Sequence, residues 1–85
     1  MPSINLIQLA NRLKEVYVPK SMITKGLVIL LKWLIAELPK MGERIPNEEA
    51  LLEWLQTGFQ QRARAYRVGE RKRDWVVGVI VDLLR

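Results

Sequence analysis

The chain contains no cysteine and no histidine. Without cysteine no disulfide can staple a small fold, and without either residue there is no Cys/His metal site, thiol nucleophile or imidazole base. The five glycines are dispersed, so there is no Gly-rich phosphate loop. Long apolar runs are also missing. The best, Leu27–Leu38, is 12 residues long and includes Lys32 and Glu37, whereas a bilayer span needs about 20 apolar residues. The N-terminal stretch MPSINLIQLANR has no basic segment followed by a clean apolar one, so no signal peptide is expected. Together these absences predict a cytoplasmic protein with no membrane span, no metal and no cofactor.

The carboxylates do not suggest an enzyme either. Glu48, Glu49 and Glu53 lie close in sequence, with Glu37, Glu43 and Asp74 scattered. Glu49 and Glu53 share a solvent-facing side of one predicted helix. No carboxylate interrupts an apolar stripe, so nothing points to the raised pKa of a general acid. No catalytic residue is predicted.

What the chain does have is apolar surface and a local excess of positive charge. Its 85 residues make a single domain, 1–85, with one small core. The apolar fraction is 49%, and counting glycine brings it to about 55%, above the usual range of roughly 45–50%. A small domain has little interior in which to hide that surplus, which predicts a homo-oligomer or a protein partner.

The most apolar stretch, Gly26–Leu38 (GLVILLKWLIAEL), carries only Lys32 as a charge between Leu27 and Ala36. It predicts a central helix wrapped by the others, with Ser21, Lys25, Lys32 and Ala36 as its narrow polar strip. The predicted helices are about 3–17, 20–38, 47–68 and 73–84. The first has Ser3 as N-cap, a stripe of Leu6, Leu9, Ala10, Leu13, Val16 and Tyr17, and a stop at Pro19. The second stops at Pro39. The third is capped by Asn47 and buries Leu51, Leu52, Leu55, Phe59, Ala63 and Tyr66, ending at Gly69 or running through it. The last has Asp74 as its cap and a stripe of Val76, Val77, Ile80, Leu83 and Leu84. Its β-branched DWVVGVIVDLLR would also suit a strand, but no partner strand is evident, so a helix is predicted. The expected fold is an all-α four-helix bundle around the central apolar helix.

Trp33, Trp54 and Trp75 are each 21 residues apart, and LLKWL (30–34) echoes LLEWL (51–55). That period is short for a helical repeat, so each tryptophan is expected to anchor one helix in the core.

Charge is concentrated in one place. Between Arg62 and Arg73 six basic residues (Arg62, Arg64, Arg67, Arg71, Lys72, Arg73) meet one acid, Glu70, a local charge equal to the whole chain's +5. The rest of the chain balances eight basic against eight acidic residues. Clustered arginine forks fit phosphate oxygens and gain from counterion release. Gln60 and Gln61 could add neutral hydrogen bonds, and Tyr66 and Trp75 could offer stacking surfaces. Arg62 falls on the Leu55–Phe59–Tyr66 side, so its stem must pass along the core or pair at an interface.

The segment QLANRLKEVYVPKSMITKGL resembles the two helices of the DNA-binding helix-turn-helix motif. Leu9, Ala10 and Leu13 match the first helix, and Ser21–Lys25 the start of the second. The turn is about three residues longer than the motif's and lacks its glycine, so an ordinary two-helix hairpin is the expected form. Lys20, Lys25 and Lys32 would still form a second basic patch, with a helix N-terminus able to hold a phosphate.

The sequence therefore predicts a non-enzymatic nucleic-acid-binding protein, or a small subunit of a nucleoprotein complex. Arg62, Arg64, Arg67, Arg71, Lys72 and Arg73 would contact the phosphate backbone, with Lys20, Lys25 and Lys32 as a second set. The alternative is a helical adaptor that oligomerises or docks on a protein through its surplus apolar surface.

Overall fold

Leu27, Leu30, Leu34, Leu38 and Met41 recur every three or four residues, so on a helix they make one ridge. In the computed structural model, which describes residues 4–85, the four leucines of this ridge are completely shielded from solvent. The ridge belongs to α2 (Lys25–Met41), with Thr24 as its cap: the Thr24 hydroxyl accepts from the Leu27 N–H at 3.3 Å. Around it stand α1 (Leu6–Lys14), α3 (Glu48–Gln56), α4 (Gly58–Ala65) and α5 (Glu70–Leu83). Short 3-10 turns at Lys20–Met22 and Gly42–Arg44 precede and follow α2. Among the described residues there is no strand, and no helix is long and apolar enough to cross a membrane. The fold is an all-α bundle whose third rod is divided into α3 and α4.

α2 packs chiefly on α1 and also on α4, while α1 touches α5. Leu6, Leu9, Ala10 and Leu13 of α1, Leu51 and Leu55 of α3, Phe59 and Ala63 of α4, and Val76 and Ile80 of α5 complete the core. The Arg12 guanidinium donates to the Leu83 carbonyl, so α1 supplies the C-terminal cap of α5. The three tryptophans, expected inside the core, are half-buried and pack against its edge, one each on α2, α3 and α5.

The boundaries differ from the sequence expectation, each for a local reason. Ser3 lies outside the described residues. Asn5 caps α1 instead, its Oδ1 accepting from the Gln8 N–H at 2.9 Å. α1 stops at Lys14 rather than at 17, because the β-branched Val16 and Val18 ahead of Pro19 favour extended backbone. Tyr17, expected in the core, is therefore 80% exposed. Residues 20–24 do not join the second helix, so α1 and α2 are separated by a ten-residue connection (15–24), far from helix-turn-helix geometry.

Pro39 does not stop α2. It sits on the solvent side, and burial of Met41 carries the helix one more turn to Gly42, whose φ of 30° ends it. The expected continuous helix 47–68 breaks at Thr57. The Thr57 hydroxyl donates to the Glu53 and Trp54 carbonyls, and the Trp54 indole lies so close to Gly58 that a Cβ there would fall 2.7 Å from its Nε1. Leu52, expected inside, is exposed. α5 begins at Glu70, three residues earlier than expected, and Asp74 lies within it instead of capping it.

The ridge holds four of the driest leucines of the core, which leads to a graded outcome. Leu34→Ala should lose about 2–5 kcal/mol of unfolding free energy. Leu31→Ala, at a half-buried position on the flank, should lose clearly less. Urea denaturation of the two variants measures the difference.

Candidate nucleic-acid interface

The arginine-rich stretch folds into a single corner, formed by the last turn of α4, the connection Tyr66–Gly69 and the first turn of α5. The connection closes α4 with two hydrogen bonds. The Val68 N–H donates to the Ala63 carbonyl at 2.8 Å, and the Arg67 N–H to the Arg64 carbonyl at 3.0 Å. This six-to-one and five-to-two pairing is the Schellman closure of a helix, with buried Val68 packing near buried Ala63. Its hinge residue must be left-handed, a position where glycine is usual. Here Arg67 occupies it with φ 59°, the one non-glycine residue of positive φ among those described. Gly69, expected as a possible end of the third helix, instead precedes α5 and provides no side-chain cap.

The six basic residues of the corner have different surroundings. The Arg62 guanidinium lies 4.8 Å from the centre of the Trp33 ring and 5.8 Å from that of Tyr66. Its stem therefore snorkels across the core edge and its charge rests on aromatic faces. Arg64 is exposed in the last turn of α4, where a cation suits the helix dipole. Arg67 and Arg71 are exposed, and Lys72 is half-buried. Arg71 and Lys72 stand in the first turn of α5, where the dipole disfavours cations. Arg73 is mostly covered and lies 3.4 Å from Asp74. Among the described residues, Arg64, Arg67, Arg71 and Lys72 have no carboxylate within ion-pair distance.

The second basic set is partly drawn into the same corner. Gly26, in the first turn of α2, comes so close to the α4–α5 connection that a Cβ on it would sit 2.5 Å from the Tyr66 carbonyl oxygen and 3.5 Å from Val68. Lys25 and Arg67 are the chain neighbours of the two residues that touch, so basic residues more than 40 positions apart in sequence flank one backbone contact. Lys20 is exposed on the turn before α2. Lys32 is exposed seven residues beyond Lys25, about 10 Å further along the helix. It stands apart from the corner.

Behind Arg62 lies an aromatic ladder. Trp33 stacks on Trp54 with centroids 5.8 Å apart and planes 27° from parallel, and Trp54 meets Phe59 at 6.1 Å. With Arg62 on one side and Trp54 on the other, Trp33 has little free face for a base. The matching LLKWL and LLEWL segments carry the two stacked rings, a pairing that the expectation of one anchor per helix did not include. The left-handed Arg67 and the Gly26 approach had no sequence signal. Comparison with protein-family models, curated proteins and solved structures gives no match to this chain.

The Gly26 contact can be tested directly. Gly26→Ala should lower stability by about 1–3 kcal/mol, although alanine is the better helix former, because the added methyl must push the Tyr66–Val68 connection away. Chemical denaturation measures the change, and a neutral or stabilising result would show that the two elements are not in contact.

Proposed function

We infer that this protein binds nucleic acid through its phosphate backbone, without catalysis, at the α4–α5 corner. Arg64, Arg67, Arg71 and Lys72 are the main phosphate contacts. Lys25 lies at the edge of the same surface and Lys20 on the turn before it, while Arg62 is occupied by Trp33 and Tyr66 and Arg73 by its neighbour Asp74. Lys32 is a more distant contributor. A place in a cytoplasmic nucleoprotein complex belongs to this reading.

The observation that carries the inference is Arg67. A non-glycine residue in the left-handed region costs roughly 1–2 kcal/mol, and at a Schellman hinge glycine would remove that cost. Stability alone therefore argues against arginine here. Arg71 and Lys72 repeat the pattern, since the dipole of α5 favours acids in their place. Three of the four cations, Arg67, Arg71 and Lys72, are held where the backbone disfavours them, and none of the four has a carboxylate partner among the described residues, which is the arrangement expected of a polyanion site.

The reading predicts opposite effects of one substitution. Arg67→Gly should raise unfolding free energy by about 1 kcal/mol and at the same time weaken binding to labelled single- and double-stranded nucleic acid. Titrations at several salt concentrations should give log K falling linearly with log[salt], and the slope should shrink by about 0.7–0.9 for each phosphate contact removed. Arg64→Glu/Arg67→Glu should abolish binding without unfolding the bundle. Absence of binding by the unaltered chain at low salt would overturn the proposal.

A further inference from the structure

Two exposed helix stripes away from the corner complement each other. On α2, Lys25, Val28, Ile29, Lys32 and Ala36 fall at i, i+3, i+4, i+7 and i+11, so they share one face. All five are exposed, Val28 at 37% and Ile29 at 40%. The stripe contains cations and no acid. Glu37, the only acid of α2, is half-buried beside it and lies 3.8 Å from Arg44. On α3, Glu49, Leu52, Glu53 and Gln56 fall at i, i+3, i+4 and i+7, again all exposed, with Leu52 at 38%. This stripe contains acids and no cation. Each helix thus sets exposed apolar side chains among charges of one sign, and the signs are opposite.

We propose that the α2 stripe of one copy of this chain docks on the α3 stripe of a second copy. Val28 and Ile29 pack against Leu52, and Lys25 and Lys32 face Glu49 and Glu53. Charge complementarity selects this occupant, and the chain outside the arginine corner is neutral, so the only general repulsion between copies is that of their corners. The two stripes are different surfaces, so the contact is heterologous. A pair of copies keeps one free stripe of each kind, and association continues to a ring or an open chain instead of stopping at a dimer. The α2 stripe is only about 16 Å long and about 10 Å wide, well under the roughly 800 Å² per partner of a stable standard-size interface. The association is therefore weak, concentration-dependent and salt-sensitive.

Sedimentation velocity of the full chain, from micromolar to millimolar concentration at low salt, tests this. The unaltered chain should grow past the dimer. Ile29→Glu/Lys32→Glu spoils the α2 stripe and Leu52→Gln/Glu53→Gln spoils the α3 stripe without giving it cations that could pair with the first variant, so each variant alone should stay monomeric with an unchanged helical circular-dichroism spectrum. An equimolar mixture of the two retains one intact stripe of each kind and should stop at a one-to-one heterodimer. Should either double variant lose helicity, Lys32→Gln and Glu53→Gln replace them, each weakening association about tenfold through the lost charge pairing. A chain that remains monomeric throughout, variants that associate as the unaltered chain does, or a mixture that stays monomeric would overturn the proposal. So would a monomer that binds phosphatidylcholine vesicles containing phosphatidylserine through Val28, Ile29 and Lys32, which would assign the α2 stripe to a lipid surface. The substitutions are disjoint from those that test phosphate binding, so either proposal can fail alone.

Discussion

The dry ridge of Leu27, Leu30, Leu34 and Leu38 is the constraint on which the rest of the structure depends. Each fully buried leucine contributes roughly 1.5–3 kcal/mol, and no other helix has four side chains so completely withdrawn from solvent. An 85-residue chain buries only a modest share of its surface. Its other helices cover the side of α2 that bears the ridge and leave the side bearing Lys25, Val28, Ile29, Lys32 and Ala36 to solvent. The central helix is therefore not wrapped all round, as its composition suggested. A chain of this length, having satisfied the ridge, has too little helix left to cover the rest.

The same ridge positions the arginine corner. α2 packs on α4 as well as on α1, its first turn passes close to the end of α4, and Gly26 is where the two backbones meet. The closure of α4 must then be tight, which is what the Schellman pairing through Ala63, Arg64, Arg67 and Val68 provides. Buried Val68 anchors that closure to the core. Arg67, although exposed, is thus held in its left-handed conformation by packing on both sides of it. The strain is local and the compensation comes from the core, the relation expected where a side chain is retained for something other than stability.

The apolar periodicity made the helices and most of the core legible in the sequence. Leu6, Leu9, Ala10 and Leu13 on α1, and Leu51, Leu55, Phe59 and Ala63 on the third rod, all read correctly, because a stripe at helical spacing has one way to be buried. The Asn47 cap was equally plain, and its Oδ1 accepts from the Ala50 N–H at 2.9 Å. Ends and breaks were harder to read, since they depend on small competing terms. Pro39 should end a helix by local rules, yet burial of Met41 outweighs one missing hydrogen bond on the solvent side. Thr57 and Gly58 look unremarkable in sequence, and the break there depends on where the Trp54 indole lies. Of the candidate interface, the cluster Arg62–Arg73 was visible as charge. That Arg62 has a structural duty, lying on Trp33, required the tertiary contacts.

Charge segregation ties the two proposals together. Every copy carries the chain's whole net charge of +5 at one corner. Two such corners about 20 Å apart would repel by about 5 kcal/mol in pure water. At physiological salt, with a Debye length of about 8 Å, that falls to a few tenths of a kcal/mol per pair. The weak contact proposed between the lysine and glutamate stripes can tolerate such a term, but it cannot ignore it as copies accumulate. A polyanion laid along successive corners removes the term altogether, because phosphates replace the repulsion with attraction. In an assembly built on both surfaces, stripe contacts and phosphate contacts would therefore reinforce each other by linkage, although they share no corner residue apart from Lys25. Lys25, at the end of the α2 stripe and beside the backbone contact between Gly26 and Tyr66, is the one place where the two contacts compete, because a single ammonium cannot fully serve a glutamate and a phosphate at once.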